Sequence, residues 1–229
     1  MSSSCPVAPL FSSPLDIQLT ELPKGKVLFR FHKNTYQTNS FNPNTGGRIE
    51  VPEDGSRFNP FPGAPARNIP TLYAADTLTA AALESVFHNV EHVPSPTFLR
   101  SQLAEWRYSK LRTTRKLVLL KLVNPQLRQL RVAERATALT ERELIHTPSS
   151  EYPHTRTWAQ SLHAAISSLD GLAWRPRLGG TGLAFLFFGD RCRPGDLKKH
   201  SAAVEIASGP GFAKIHAIAG SANITILDL

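Results

Sequence analysis

The sequence has no long hydrophobic run and only two cysteines. Its longest apolar stretches, 117–123 and 183–188, are far shorter than the ~18 residues that a membrane-spanning helix requires. No basic segment followed by an apolar core stands at the N-terminus, so we expect no secretory signal and infer a cytoplasmic protein. Cys5 and Cys192 lack C-x-x-C spacing, which favours two thiols over one disulfide, and we expect no metal cofactor.

Glycine-rich phosphate fingerprints and internal repeats are also absent. Any nucleotide binding is therefore not expected to be of the Rossmann or P-loop type. The chain has 229 residues, of which 41% are hydrophobic and 19% charged, enough to bury one full core. We predict a single domain over residues 27–229, preceded by a proline- and serine-rich, loosely ordered N-terminal arm over residues 1–26.

Positive charge is concentrated in one segment. Residues 100–142 contain eleven basic and three acidic residues, which accounts for the whole net charge of +8. Trp106 and Tyr108 lie among these cations, a combination that suits stacking on bases beside phosphate contacts. A solvated basic face and the docking of an acidic partner protein are the alternatives, and the sequence favours direct nucleic-acid binding least.

The hydrophobic pattern predicts mixed α and β structure. Helices are predicted at 76–89, with Asp76 as N-cap, and at 156–168. Between residues 39 and 70, asparagine, proline and glycine are too frequent for a helix or a central strand, and they predict a long ordered loop. The runs 117–123 and 127–132 are predicted to form a hairpin. The remaining predicted strands are 27–31, 71–75, 183–188, 215–218 and 224–227.

Two arginines are candidate ligands for an anionic group. Arg57 lies in the segment 55–60, Gly-Ser-Arg-Phe-Asn-Pro, where glycine and proline restrict the backbone and the guanidinium can present a planar fork to a phosphate. Arg30 stands between Phe29 and Phe31 in a strand, so its side chain points to the opposite face from both rings. A solvated loop arginine and a solvent-facing strand residue are the ordinary alternatives.

A tyrosine and a glutamate complete the candidate site. Tyr73 could stack its ring on a nicotinamide or adenine while its hydroxyl stays in water. The ordinary alternative is a structural tyrosine in the core or at its rim. Glu84 is predicted in the middle of the amphipathic helix 76–89, where neighbouring alanines leave room for a ligand. Its ordinary alternative is a surface glutamate.

Taken in order, these segments resemble the RES family, bacterial toxins that consume NAD and are named for an arginine, a glutamate and a serine. The likeness extends from about Val27 to Arg191. The segments that carry it are Phe29-Arg30, Gly55 to Pro60, Leu72-Tyr73, Ala82 to His88, Tyr152 to Thr155, Asp170 to Trp174 and Phe188 to Arg191.

The resemblance implies a fold, a reaction and a partner. It implies an α+β, ADP-ribosyltransferase-like catalytic domain with mixed sheets flanked by helices, and NAD as substrate. The nicotinamide–ribose bond would be cleaved by hydrolysis, phosphorolysis or ADP-ribosyl transfer. The protein would be the toxin of a type II toxin–antitoxin system, inhibited by a helix-turn-helix (Xre-type) antitoxin that blocks the active site. The alternative is a non-catalytic basic protein that binds nucleic acid or an acidic partner through residues 100–142.

The resemblance also implies residue roles. Arg30 and Arg57 would hold the pyrophosphate and nearby ribose oxygens, Tyr73 would pack on the nicotinamide ribose end, and Glu84 would hydrogen-bond the ribose 2′-hydroxyl. Glu84, Tyr73 and Arg30 are the expected catalytic residues.

One position departs from the family pattern. The family serine is expected two residues after Trp174, and Pro176 stands there. Proline has neither a hydroxyl nor an N–H, so the hydrogen bond of that serine is either lost or supplied by a neighbour such as Thr181 or Ser85.

Overall fold

Strands dominate the computed structural model, which describes residues 5–9, 11, 17–63, 67–90, 93–130, 139–179 and 181–228. The strands are β1 Thr20–Leu22, β2 Val27–Lys33, β3 Thr71–Ala75, β4 Thr97–Leu99, β5 Trp106–Thr113, β6 Leu117–Lys121, β7 Gly171–Trp174, β8 Ala184–Phe188, β9 Leu197–Lys199, β10 Val204–Glu205 and β11 Thr225–Leu227. The helices are α1 Leu78–Leu83, α2 Glu141–Leu144, α3 Tyr152–Ala165 and α4 Gly209–Ser221.

One mixed sheet forms the centre of the molecule. Its order is β1-β6-β7-β8-β3-β2-β5-β10, and β9 pairs with the other end of β5. Neighbours are antiparallel except for β6 and β7, which run parallel. Strand β8 is buried along its whole length because every residue in it is apolar. The prediction of a single α+β domain is confirmed, while the likeness to ADP-ribosyltransferases stays a prediction.

Helices α1, α3 and α4 pack on one face of the sheet, because paired strand residues place the two core clusters that they join on the same side. Trp158 and Leu162 of α3 pack in one core cluster with Trp174 of β7. Helices α1 and α4 pack in another cluster, where Leu83 and Ile215 join Phe31 of β2. No helix in the described part of the chain is long and apolar enough to cross a bilayer. Neither cysteine forms a disulfide, and both are buried.

Helix α1 is shorter than predicted. It ends at Leu83 and not near residue 89, so the prediction that Glu84 lies mid-helix is wrong. Thr77, and not Asp76, is the N-cap, since its Oγ1 accepts a hydrogen bond from the Ala80 amide at 3.1 Å. Asp76 instead accepts from the Leu183 amide at 2.7 Å. Glu84 is the C-cap residue, and from there the chain turns away from the helix axis.

Two strand predictions are wrong. Strand β6 pairs with β1 and β7, and residues 126–129 form a 3-10 turn, so the hairpin over 117–132 does not form in the described part of that segment; residues 131 and 132 lie outside it. The predicted strand 215–218 lies inside α4, where Ile215, Ile218 and Ala219 recur at helical spacing on the buried face.

Helix α3 begins earlier than predicted, at Tyr152, because Pro153 suits the first turn of a helix. The segment predicted as a loose arm also contains ordered structure. Strand β1 lies within it and pairs with β6, and Trp158 Nε1 donates to the Pro6 carbonyl at 2.8 Å. Residues 1–4, 10 and 12–16 lie outside the described part of the arm.

A single buried arginine organises the long loop between β2 and β3. Arg156 of α3 is fully buried and donates only to backbone carbonyls of this loop. Its Nε reaches the Ser56 oxygen at 3.0 Å and its Nη2 the Pro52 oxygen at 2.8 Å. The acceptors of its Nη1 are the carbonyls of Arg48, Ile49 and Val51, at 3.3, 3.2 and 2.6 Å. Since buried carbonyls need donors, one side chain defines the path of this segment.

Replacing Arg156 with methionine should therefore destabilise the protein by about 3 kcal/mol or more, because the carbonyls lose their common donor while much of the side-chain volume stays. Denaturant unfolding measures the loss, and limited proteolysis should show new cleavage between residues 48 and 56. Arg175→Met is the matched control at an exposed arginine and should change stability by no more than about 0.5 kcal/mol. Equal stability of the two variants would contradict this account of the loop.

Candidate functional site

The four predicted site residues line one cavity. Arg30 comes from β2, Arg57 from the long loop, Tyr73 from β3 and Glu84 from the end of α1. The cavity has a volume of about 320 Å³. The tertiary fold thus brings together all the residues that the sequence singled out as ligands of one molecule.

Glu84 is a buried carboxylate held by two donors. Trp174 Nε1 donates to its Oε1 at 2.7 Å, and His88 Nδ1 lies 3.3 Å from its Oε2. Burial by itself raises the pKa of this carboxyl, but the His88 hydrogen bond, the charges of His88 and Arg57, and the Trp174 hydrogen bond together keep the pKa below its ordinary value. The cavity therefore contains a fixed negative charge.

A third side chain orients His88. The Tyr152 hydroxyl lies 2.7 Å from His88 Nε2. This hydrogen bond and the contact of Nδ1 with Glu84 together fix the orientation of the imidazole ring. The sequence analysis assigned no role to Trp174, His88 or Tyr152. All three lie within the segments that resemble the family, and this was the only signal in the sequence that could have identified them.

Arg57 has an unsatisfied N–H. The side chain is 2% exposed, and its Nη1 donates to Thr147 Oγ1 at 2.9 Å. Its guanidinium carbon lies 5.3 Å from the centre of the Tyr152 ring. Its Nε is buried and is the one buried side-chain polar atom without a hydrogen-bond partner in the described part of the chain. Such an orphaned donor is costly, and it leaves Arg57 with hydrogen-bonding capacity that the described residues do not use.

Arg30 is a buried cation with neutral partners. Its Nη1 donates to the carbonyls of Thr38 and Ser40 at 2.7 and 2.8 Å, which fixes the guanidinium plane. Burial lowers the pKa of Arg30 to about 10, and no carboxylate of the described residues forms an ion pair with it. An anionic ligand would strongly stabilise a buried cation in such an environment.

The Tyr73 hydroxyl does not stay in water, so this prediction is wrong. It donates to Asn59 Oδ1 at 2.8 Å and accepts from Ser56 Oγ at 3.0 Å, and burial raises the pKa of the phenol. The Tyr73 ring also packs edge-on against Trp174, with centroids 5.9 Å apart. Tyr73 therefore contacts both the long loop, through Ser56 and Asn59, and the Trp174 indole that donates to Glu84.

The position of the missing serine lies outside the cavity lining. Pro176 is buried, and neither it nor Thr181 contacts the cavity. Ser85 does line the cavity, directly after Glu84. Of the two hydroxyls named as substitutes, Ser85 is thus the one within reach of a ligand there.

The basic segment 100–142 is partly neutralised by carboxylates from elsewhere in the chain. Arg100 pairs with Asp228 at 3.0 Å. Arg115 binds Asp170 through two nitrogens, at 2.7 and 2.9 Å, and Lys116 pairs with Glu21 at 2.5 Å. Residues 131–138 lie outside the described part. These ion pairs weaken the alternative of a continuous basic docking face.

Fold and site together define a class: a single-domain α+β protein with a cavity in which an ionised carboxylate lies beside two arginines that have no carboxylate partner among the described residues. The RES domain matches residues 27–206, and the chain belongs to the RES domain family. This family is associated with NAD-degrading toxins of toxin–antitoxin systems, and its toxins generally pair with antitoxins. No curated protein matches the chain.

The hydrogen bond from His88 generates a prediction about Glu84. His88→Ala removes a donor and a nearby charge, so the pKa of Glu84 should rise. Because the native pKa is depressed, the ionised carboxylate stabilises the fold above the unfolded-state pKa, and this stabilisation is lost as pH falls through the native pKa. Carbon-13 NMR titration of the Glu84 carboxyl measures the change. His200→Ala, at an exposed histidine outside the cavity, should leave the Glu84 midpoint in place. A midpoint that does not move in His88→Ala would refute the coupling.

Proposed function

We propose that this protein cleaves the nicotinamide–ribose bond of NAD, with Glu84, Tyr73, Arg30 and Arg57 as its site residues. The observation that carries the proposal is the shared cavity, where an ionised carboxylate with two fixed donors lies beside two buried arginines that have no carboxylate partner in the described part of the chain. A dinucleotide supplies what each group needs: a pyrophosphate for the cations and a ribose hydroxyl for the carboxylate.

Glu84 stabilises the transition state. When the bond between the ribose C1′ and the nicotinamide nitrogen breaks, nicotinamide leaves with the bonding electron pair and positive charge develops on the ribose. A carboxylate that accepts a hydrogen bond from the ribose 2′-hydroxyl interacts more strongly as this charge grows. Trp174 and His88 hold the carboxylate still, so little reorganisation is needed at the moment of reaction.

The arginines bind the pyrophosphate. Arg30 is fixed by two backbone carbonyls, and the orphaned Nε of Arg57 supplies a further donor. These contacts are much the same in the ground state and the transition state, so their loss should appear mainly in KM. Tyr73 packs at the nicotinamide ribose end and maintains the loop geometry through Ser56 and Asn59.

The biological role we propose is that of a type II toxin. NAD is its substrate, and ADP-ribose passes to water, phosphate or a protein. A helix-turn-helix antitoxin of the Xre type would inhibit the enzyme by blocking the cavity. A cytoplasmic enzyme of this kind meets its substrate throughout the cell, so only such an inhibitor would keep it harmless.

Glu84→Gln should abolish NAD turnover without unfolding the chain, since it removes charge but almost no volume. The expected loss is about 2 to 4 kcal/mol of transition-state stabilisation, which is roughly 30- to 1000-fold in rate. Release of free nicotinamide from NAD measures the activity, and Glu21→Gln is the matched control at an exposed carboxylate. Turnover by Glu84→Gln at the wild-type rate would remove Glu84 from the site.

Expression of the chain alone in bacteria should arrest growth and lower the cellular NAD level. Expression of Glu84→Gln should leave growth and the NAD level normal. Pro176 makes a third strain informative. If the family serine is needed for full activity, Pro176→Ser should increase the NAD loss, whereas Ser85 acting in its place predicts no increase. Growth curves and NAD assays on the three strains test this, and stable NAD levels in all of them would count against the toxin role.

A further inference from the structure

Two aromatic side chains line the outer part of the cavity. Tyr36 follows β2 and is 45% exposed, although it is a large ring. Trp106 is the first residue of β5 and is half-buried. Both contribute to the same cavity as Glu84 and Arg57, which are buried at its inner part. The cavity thus has an inner part rich in charge and an outer part rich in rings.

The size of the cavity bears on how a dinucleotide would fit. Its volume of about 320 Å³ lies at the lower limit for small-molecule sites, roughly 300 to 1,000 Å³. A dinucleotide consists of two nucleosides joined by a pyrophosphate. One nucleoside half with its phosphate fills a space of this size, so the second half has to extend toward the mouth.

The strand register gives the spacing between Arg30 and Trp106 along the sheet. Arg30 pairs with Ser109, and three residues further along β2 Lys33 pairs with Trp106. At about 3.3 Å per residue, Trp106 lies roughly 10 Å along the sheet from the Arg30 register position. Since Trp106 lines the same cavity at this spacing, a pyrophosphate bound at Arg30 can place its second ribose and base at Trp106 when the first ribose is at Glu84.

We propose that the mouth of this cavity is the subsite for the adenine base of the dinucleotide, with Trp106 and Tyr36 as the stacking side chains. The proposal rests on the proposed function, since it assumes that the ligand is NAD. Aromatic rings bind a base through its π-face, and an exposed ring at a cavity mouth is available for such a contact.

The neighbouring residues support this choice of rings. Tyr108, the other aromatic of the basic segment, is 5% exposed and its hydroxyl accepts from Lys214 Nζ at 3.0 Å, so it cannot stack on a base. Lys33 lies 5.4 Å from the centre of the Trp106 ring and is paired with Glu105. Of the two rings that the sequence suggested for stacking on bases, Trp106 is thus the one that lines the cavity.

Calorimetric titration with ADP tests the subsite, because ADP contains the adenine half and lacks the bond that the enzyme would cleave. Wild type should bind ADP, and Trp106→Ala should weaken that binding about tenfold, which corresponds to about 1.4 kcal/mol. Trp106→Phe keeps a ring and should retain most of the affinity. Tyr36→Ala should also weaken binding, and Leu99→Ala, at an exposed apolar residue outside the cavity, should not.

A second measurement compares substrates. The ratio of kcat/KM for NAD to that for nicotinamide mononucleotide, which has no adenosine, should fall about tenfold in Trp106→Ala. Absence of ADP binding by wild type, unchanged ADP affinity in both alanine variants, or an equal loss for both substrates would overturn the subsite. If the protein binds ADP through Trp106 but does not cleave NAD, the subsite is supported and the proposed function is contradicted. Failure of the subsite can therefore be told apart from failure of the proposed function.

Discussion

The candidate site depends on one buried guanidinium. Arg156 donates to the Ser56 carbonyl, and the adjacent Thr155 hydroxyl donates to the Arg57 carbonyl, so two neighbouring residues of α3 hold the backbone on which Arg57 stands. The loop also has hydrogen bonds of its own, such as the two between the backbones of Ser56 and Asn59. Helix α3 adds two donors to these bonds on either side of the Ser56–Arg57 peptide, and they fix the backbone that carries the Arg57 side chain.

A second support acts on the carboxylate. Glu84 ends a helix of six residues and would be free to rotate there, but Trp174 on β7 and His88 one turn later each donate to a different oxygen. Tyr152 connects this pair to α3 through His88. Helix α3 therefore contacts both the carboxylate network and the arginine loop, and sets the position of one relative to the other.

The charges in the cavity are not balanced by ion pairs in the usual way. Arg30 and Arg57 bond to neutral oxygens, and the Nε of Arg57 has no acceptor among the described residues. Burying cations in this manner lowers the free energy of unfolding. Sites that bind ligands commonly retain such a cost, because the same groups then interact strongly with an anion that enters.

Local pattern was sufficient to predict the α+β class and strands β2, β3 and β8, because each depends on residues that are neighbours in sequence. The grouping of Arg30, Arg57, Tyr73 and Glu84 came from the resemblance to the RES family, and the four side chains line one cavity. Pattern could not predict where α1 ends, the helical state of 215–218, or the buried Tyr73 hydroxyl. These features depend on partners far away along the chain: Trp174 for Glu84, the packing of α4 on α1, and Ser56 and Asn59 for Tyr73. Hydrogen bonds between distant residues leave no periodic signal in a sequence, so only the tertiary structure decided them.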